Sequence, residues 1–243
     1  MSEARQTVPW EYREVVMRYL RPSDTVLDIG TGGGERLRDL AGAFGSGLGI
    51  DVDPAMVRLA TENSAMPNLS FRVGSDRLES VPETFDVIIS RHAPFDPGAV
   101  AAHLRPGGYF ITQQVGERNM ACVKAALGQP PEFPSIQRQA LAGSELRLLA
   151  FLEYDAEYVV RDIDSLVFWL NALDRDHADV DGRSALASAV TLNRVLAGNV
   201  DGRGFVTNEH RYLAVTQNAD LETSVPPPPG RASVDMLRRQ AND

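Results

Sequence analysis

Apolar and polar positions along this 243-residue chain switch between two rhythms. Within residues 5–20, Trp10, Val15, Val16, Tyr19 and Leu20 recur at helical spacing, which predicts an amphipathic helix stopped by Pro22. From Ser23 onward short apolar runs alternate with helical stretches. Thr25–Ile29, Gly47–Asp51, Leu69–Val73, Phe85–Ser90 and Tyr109–Thr112 read as five strands. Helices are predicted through Arg36, Leu37, Leu40, Ala41 and Phe44, from Pro54 through Ala60, and from about Pro97 to Leu104, ahead of a turn at Arg105-Pro-Gly-Gly108. This alternation predicts an α/β fold: a doubly wound, seven-stranded, mostly parallel sheet covered on both faces.

After residue 117 the rhythm loosens. Helices are expected at 119–127 and near 135–142, with the breaker Gly128-Gln-Pro-Pro131 between them. Leu146–Leu152 suggests a sixth strand, 163–173 and 184–197 two more helices, and Gly204–Thr207 followed by His210–Thr216 a closing strand or hairpin arm. The tail from Asn218, with four prolines at 226–229, reads as a disordered linker. The domain plan is an N-terminal helix (1–22), a main domain (23–217) with a lid-like insertion at about 160–203, and the tail (218–243).

Composition narrows the function. The single cysteine, Cys122, excludes an internal disulfide and a cysteine zinc cage. No signal-type apolar core opens the chain and no stretch approaches 18 apolar residues, so a cytoplasmic protein with no membrane partner is expected. The formal net charge of −9 argues against nucleic acid, whose binding is mostly phosphate neutralisation. Of 24 basic residues only Lys124 is lysine, a bias that reflects a GC-rich genome.

The richest segment is Val26-Leu-Asp-Ile-Gly-Thr-Gly-Gly-Gly-Glu35. Gly30, Gly32 and Gly34, between strand and helix, let the backbone turn tightly and approach a ligand without Cβ clashes. Asp28 stands two residues before the first glycine, where a carboxylate repels a pyrophosphate but can orient an ammonium group or the loop. Asp51 ends the second strand 17 residues after Gly34, placed to accept hydrogen bonds from both ribose hydroxyls. Together they describe a cavity for a nucleoside with a cationic tail, which favours S-adenosylmethionine over NAD.

Here the chain resembles the class I S-adenosylmethionine-dependent methyltransferases, and looks closest to the branch holding the ubiquinone/menaquinone C-methyltransferases and many small-molecule enzymes. The matching pieces are Leu27–Gly34, Gly49-Ile-Asp-Val-Asp-Pro-Ala-Met56, Phe85–Ser90 and Leu104-Arg-Pro-Gly-Gly108, in the family's order across residues 24–116. The resemblance implies that Gly30, Thr31, Gly32 and Gly34 bring backbone against the cofactor's methionine and ribose, while Asp28 orients the loop or the ammonium group. It implies that Asp51 holds the ribose, that Val52 lies against the adenine face, and that Ser75 or Asp76 accepts from the adenine amino group. The backbone near Ser90 and Arg91 would meet the methionine end. One departure is that Gly74 is followed by serine before the acid, so the adenine contact is assigned only to the pair Ser75 and Asp76.

Methyl transfer from a sulfonium is an in-line displacement, so the protein aligns the acceptor, excludes water and, for some acceptors, removes a proton. His92, just past strand four, is the candidate catalytic residue, as general base or as a group that positions the acceptor; the bland alternative is a loop histidine capping the next helix. His210 and His103 are expected to be structural. Tyr158, Phe168 and Trp169 could shape an aromatic acceptor pocket or simply fill core, and Trp10 and Tyr12 could close over the cofactor. The acidic run Asp174–Gly182 does not fit a calcium loop and no metal is expected. The reading is a methyltransferase for a small-molecule acceptor, with secondary metabolism as its setting, yielding S-adenosylhomocysteine. A homodimer is among the assemblies allowed. The alternatives are an RNA or protein methyltransferase and a non-catalytic nucleoside-binding regulator.

Overall fold

The computed structural model describes residues 8–126, 136–161, 165, 193 and 195–218. Its strands are β1 (Thr25–Ile29), β2 (Ser46–Asp51), β3 (Leu69–Val73), β4 (Phe85–Arg91), β5 (Leu104–Val115), β6 (Leu146–Val160), β7 (Val200–Asp201) and β8 (Gly204–Asn218). The helices are α1 (Tyr12–Met17), α2 (Glu35–Leu40), α3 (Pro54–Asn63), α4 (Pro97–His103), α5 (Ala121–Ala126) and α6 (Ile136–Ala142). The sheet runs β3-β2-β1-β4-β5-β8-β6, with the two-residue β7 paired to β8 off that path. The expected seven-stranded sheet is thus present, with β7 as an addition.

The chain divides into two compact units. The larger takes its residues from Thr7–Gln114, Ile136–Leu152 and Tyr212–Asp243, the smaller from Met1–Gln6, Val115–Ser135 and Glu153–Arg211. In the larger unit β1 pairs in parallel with β2 on one side and β4 on the other, in a register that sets Ile29 level with Ile50 and Ser90. The chain winds one way from β1 through β2 to β3 and the other way from β4 to β5. A ligand cleft belongs outside the carboxyl ends of β1 and β4, where the winding reverses.

Burial explains why these runs form strands. Leu27, Ile29, Ile50, Ile88 and Phe110 are all sealed in the core, together with Leu141 and Tyr212. Strands covered on both faces read as near-continuous apolar runs, as Val26-Leu27 and Val87-Ile-Ile89 do, and each fully buried Leu or Ile contributes about 1.5–3 kcal/mol. Asp-Pro pairs start two helices: Asp53 Oδ1 accepts from the Ala55 amide at 2.7 Å and Asp96 Oδ1 from Ala99 at 2.7 Å, each with proline in the first helical turn. No helix links β3 to β4; the connection instead sinks Leu78 and Val81 into the core.

Three elements differ from the sequence pattern. β5 begins at Leu104, because an irregularity in its pairing absorbs the expected turn: Phe85 pairs with Leu104, and the next pair is Val87 with Tyr109. β6 runs eight residues beyond Leu152, through Glu153, Asp155 and Glu157. These carboxylates look like a loop in sequence, yet Arg118 meets Glu153 at 3.3 Å and Asp155 at 2.9 Å, and Arg203 pairs with Glu157. β8 is one strand rather than two pieces. The polar break at Asn208 vanishes because its side chain accepts from the Ala121 amide at 2.8 Å and donates to the Arg118 carbonyl at 2.8 Å. The smaller unit has its own core of Met120, Val123, Val160, Val195 and Phe205. The expected helices at 163–173 and most of 184–197, the acidic run 174–182, Phe168, Trp169 and the proline-rich tail lie outside the described residues. Among those described, no helix is long and apolar enough to cross a membrane.

Candidate active site

β1 delivers the glycine loop. The amides of Gly30 and Thr31 both donate to the Ile50 carbonyl at 2.9 Å, which turns the chain sharply at the strand end. Gly30 has φ +71°, and a Cβ there would overlap Cβ of Ala93, so glycine lets the loop after β4 press against the loop after β1. Gly32 has φ +55°, and a Cβ there would meet no heavy atom within 4 Å. It is the open side of the loop, where a ligand can reach bare backbone.

Two carboxyl groups bracket this loop. Asp51 Oδ2 accepts from the Gly32 amide and Oδ1 from the Asp53 amide, both at 2.9 Å. Each oxygen keeps a further lone pair for a ligand hydroxyl. Val52, next to it, is 69% exposed, an unusual state for a large apolar side chain. Asp28 is buried and accepts from the Thr31 hydroxyl at 2.8 Å. Burial pushes its carboxyl up to about 7; the Thr31 bond and the Arg36 charge pull the other way, and Asp51 adds a smaller upward push. A carboxyl held there ionises readily once a cation comes beside it.

α1 and β4 supply the remaining wall. The Tyr12 hydroxyl donates toward the carbonyls of Ile111, at 3.2 Å, and Ser90, at 3.4 Å, and burial keeps it protonated far into the alkaline range. The Arg91 guanidinium lies 5.9 Å from the centre of the Tyr12 ring, and its Nε is buried without a hydrogen bond among the described residues. Ser90 is fully buried and donates to the Ala93 carbonyl at 3.2 Å. Gln114 braces the same turn, donating to Ala93 at 2.9 Å and to the Thr112 hydroxyl at 2.8 Å. His92 follows in the left-handed region (φ +57°), its amide donating to the Gln113 carbonyl at 3.0 Å. Its Nε2 is 3.3 Å from Gln113 Nε2, and Gln113 Oε1 accepts from the Trp10 indole at 2.9 Å.

Asp28, Gly30, Thr31, Gly32, Asp51, Ser90, Arg91 and His92 therefore sit at neighbouring strand ends, and Trp10 and Tyr12 pack beside them. Gly34 plays a different part: at φ +78° it starts α2, and a Cβ there would press on Phe71 and Ala60. Ser75, past β3, closes its own turn, donating to Glu79 at 3.1 Å and accepting from the Arg77 amide at 3.2 Å. Asp76 makes no hydrogen bond among the described residues. Gln113 and Gln114 were missed by sequence reasoning; a polar pair closing the apolar run Tyr109–Thr112 was the signal available.

His103 and His210 are each engaged by hydrogen bonds away from this site, and His177 lies outside the described residues. His103 ties α4 to the β3–β4 connection, reaching the Ala99 carbonyl at 2.7 Å and that of Val81 at 2.8 Å. His210, in the smaller unit, is fully buried, accepts from the Arg118 amide at Nδ1 (3.1 Å) and so donates from Nε2 to Glu153 (3.2 Å). Tyr158 packs on that unit's core. A concavity of about 370 Å³ opens at the opposite ends of β1–β4, lined by Thr25, Ser46, Asn68, Arg72, Glu83 and Arg105, and holds none of these site residues.

Residues 26–108 match the family model described as a methyltransferase domain. The chain is similar to the ribosomal protein L11 methyltransferase of Pelotomaculum thermopropionicum, 32% identical over 120 residues, covering 45% of this chain and 38% of the relative. It is also similar to the trans-aconitate 2-methyltransferase of Deinococcus radiodurans, 32% identical over 122 residues and covering 46% of each. The chain thus spans less than half the length of these curated relatives. A solved structure from Deinococcus radiodurans, of a protein without assigned function, shares the fold at a TM-score of 0.65 and 15% identity, covering 88% of this chain and 89% of that one. The glycine loop, both bracketing carboxyls and the β4 turn all fall within the matched residues 26–108.

Proposed function

We propose that this chain is an S-adenosylmethionine-dependent methyltransferase that acts on a small-molecule acceptor. The observation that carries the reading is the bracket around Gly32: an open glycine backbone between the buried Asp28 carboxyl and the Asp51 carboxylate. Those residues fit the cofactor's parts. Asp28, with Thr31, suits the cationic methionine end; Asp51 suits the ribose hydroxyls; the uncovered Val52 suits the adenine face, with Asp76 rather than Ser75 toward its amino group. When bound, the cofactor supplies an activated sulfonium methyl for in-line displacement. The chain's own residues hold, orient and exclude water: Gly30, Thr31 and Gly32 offer backbone, Ser90 and Arg91 form the wall near the methionine end, and Tyr12 seals it.

The test is calorimetric titration with S-adenosylmethionine, S-adenosylhomocysteine and NAD. Micromolar binding of the first two without NAD supports the reading; binding of NAD alone, or of none, sinks it. For the acceptor, the trans-aconitate enzyme among the relatives and the acidic chain both favour a small molecule. The L11 enzyme among the relatives favours a second reading, a protein acceptor. Transfer of labelled methyl to small carboxylic acids, phenols and amines, set beside transfer to ribosomal proteins, separates the two.

A further inference from the structure

We infer that the Arg91 guanidinium anchors a carboxylate of the methyl acceptor, which makes that acceptor a carboxylic acid. The inference deepens the methyltransferase reading and rests on it for what the anchored molecule is.

Arg91 ends β4 and pairs with Gln113 of β5 on one side. On the other side Ser90 is level with Ile29, so one step further sets Arg91 beside Gly30. It therefore stands where the winding reverses, between the glycine loop and β5. In this acidic chain Arg72, Arg105, Arg118, Arg203 and Arg211 each face a carboxylate. Arg91 faces none among the described residues, and its Nε is buried without a hydrogen bond. A charged donor left buried and unpaired is costly, and a group held that way calls for a partner.

Tyr12 fixes the group without using its donors. The Tyr12 hydroxyl is tied to the carbonyls of Ser90 and Ile111, and the guanidinium carbon lies 5.9 Å over the centre of the ring. A guanidinium seated on an aromatic ring turns its face to it and keeps its N–H edges for a planar anion. Arg91 is only half-buried, and neither terminal nitrogen donates to a described residue, so the end of the fork is open to a ligand.

Charge separates this partner from two others. Asp28 and Asp51 bracket the neighbouring loop, so a phosphate dianion would meet two carboxyls there, whereas a single carboxylate completes the paired bonds of the fork. The cofactor's own carboxylate hangs from the carbon that bears its ammonium group. It therefore belongs near Asp28, where Arg36 already supplies a positive charge.

Calorimetry on the full chain tests this, with S-adenosylhomocysteine saturating and, in parallel, with the chain alone. The probes are benzoate against benzamide, succinate against succinamide, and phenyl phosphate. Wild type is expected to prefer acid to amide by about tenfold or more in one pair, the scale of a charge-assisted pair. Arg91→Gln should lose that preference, and Arg91→Lys, which keeps the charge without the fork, should keep only part of it. No binding of either acid, equal binding of acid and amide in both pairs, or tighter binding of phenyl phosphate overturns the inference. So does a preference that survives Arg91→Gln or, if that variant does not fold, one undiminished in Arg91→Lys. Decarboxylated S-adenosylhomocysteine supplies the last arm. If loss of the cofactor's carboxylate and Arg91→Gln together cost less than their sum, the guanidinium serves the cofactor and the inference falls. Failure of S-adenosylhomocysteine to bind beside an intact acid preference sinks the cofactor instead, and leaves Arg91 as a carboxylate site.

Discussion

The Thr31 hydroxyl donates to Asp28 Oδ2 at 2.8 Å across the mouth of the glycine loop, holding a carboxyl that burial has pushed up to about 7. Unfolded, the same group titrates near 3.8. Between those values the folded chain binds more protons than the unfolded one, so this contribution to stability is full below about pH 4 and is lost as pH rises through 7. Asp28→Asn should remove the loss. By about 1.4 kcal/mol per unit, the variant should gain up to ~4 kcal/mol relative to wild type between pH 4 and 8. Thermal denaturation across that range checks it, and parallel curves for the two proteins would refute it.

Cofactor binding should release a proton. A cationic ligand beside Asp28 favours its ionised form, so near pH 6.5 S-adenosylmethionine should displace a fraction of a proton into solution. Calorimetry in two buffers of different ionisation enthalpy reads that directly. Identical heats in both would separate Asp28 from the cofactor.

Asp51 braces Gly32 and Asp53 through their amides, so its loss should loosen the loop as well as remove ligand contacts. Asp51→Ala is expected to weaken S-adenosylhomocysteine binding by about 1–3 kcal/mol, the scale of lost hydrogen bonds to a charged group. Unchanged affinity would take Asp51 out of the site.

Two glycines separate folding from binding. Gly30→Ala adds a left-handed alanine and an overlap with Ala93, and should cost well over 2 kcal/mol of stability. Gly32→Ala meets open space, so it should cost only ~1–2 kcal/mol of backbone strain while abolishing cofactor binding. Urea denaturation beside titration distinguishes them. Equal stability losses would mean that the Ala93 contact carries no weight.

Burial also moves His210, in the opposite direction: its pKa is held below the ordinary value, first by desolvation and then by the Arg118 charge, although Asp155 and Glu153 oppose this. The folded chain here binds fewer protons than the unfolded one, so stability falls as pH drops below about 6.5. Hydrogen exchange at Arg118, whose amide bonds to His210, should accelerate between pH 7 and 5.5 after correction for intrinsic rates. Constant protection would overturn this sign.

The glycine loop, both bracketing acids and the five parallel strands were legible because each is a local pattern: an apolar run, a turn residue, an acid at a strand end. What escaped depends on partners far along the chain. Glu153, Asp155 and Glu157 look like a loop until Arg118 and Arg203 neutralise them. Asn208 looks like a break until Ala121 and Arg118 use its amide. His92 was picked out by its position past β4, but its contact with Gln113, whose amide meets an indole 103 residues earlier in the chain, could not be read from a local pattern.

That indole has a history during synthesis. Trp10 bonds across 103 residues, and Tyr12 across 78 and 99. At roughly 5–20 residues per second, α1 leaves the ribosome several seconds before the strand it docks on has been made. α1 is therefore seated only after β5 has been made, and until Gln113 emerges Val15, Val16 and Tyr19 wait with their apolar faces open to chaperones.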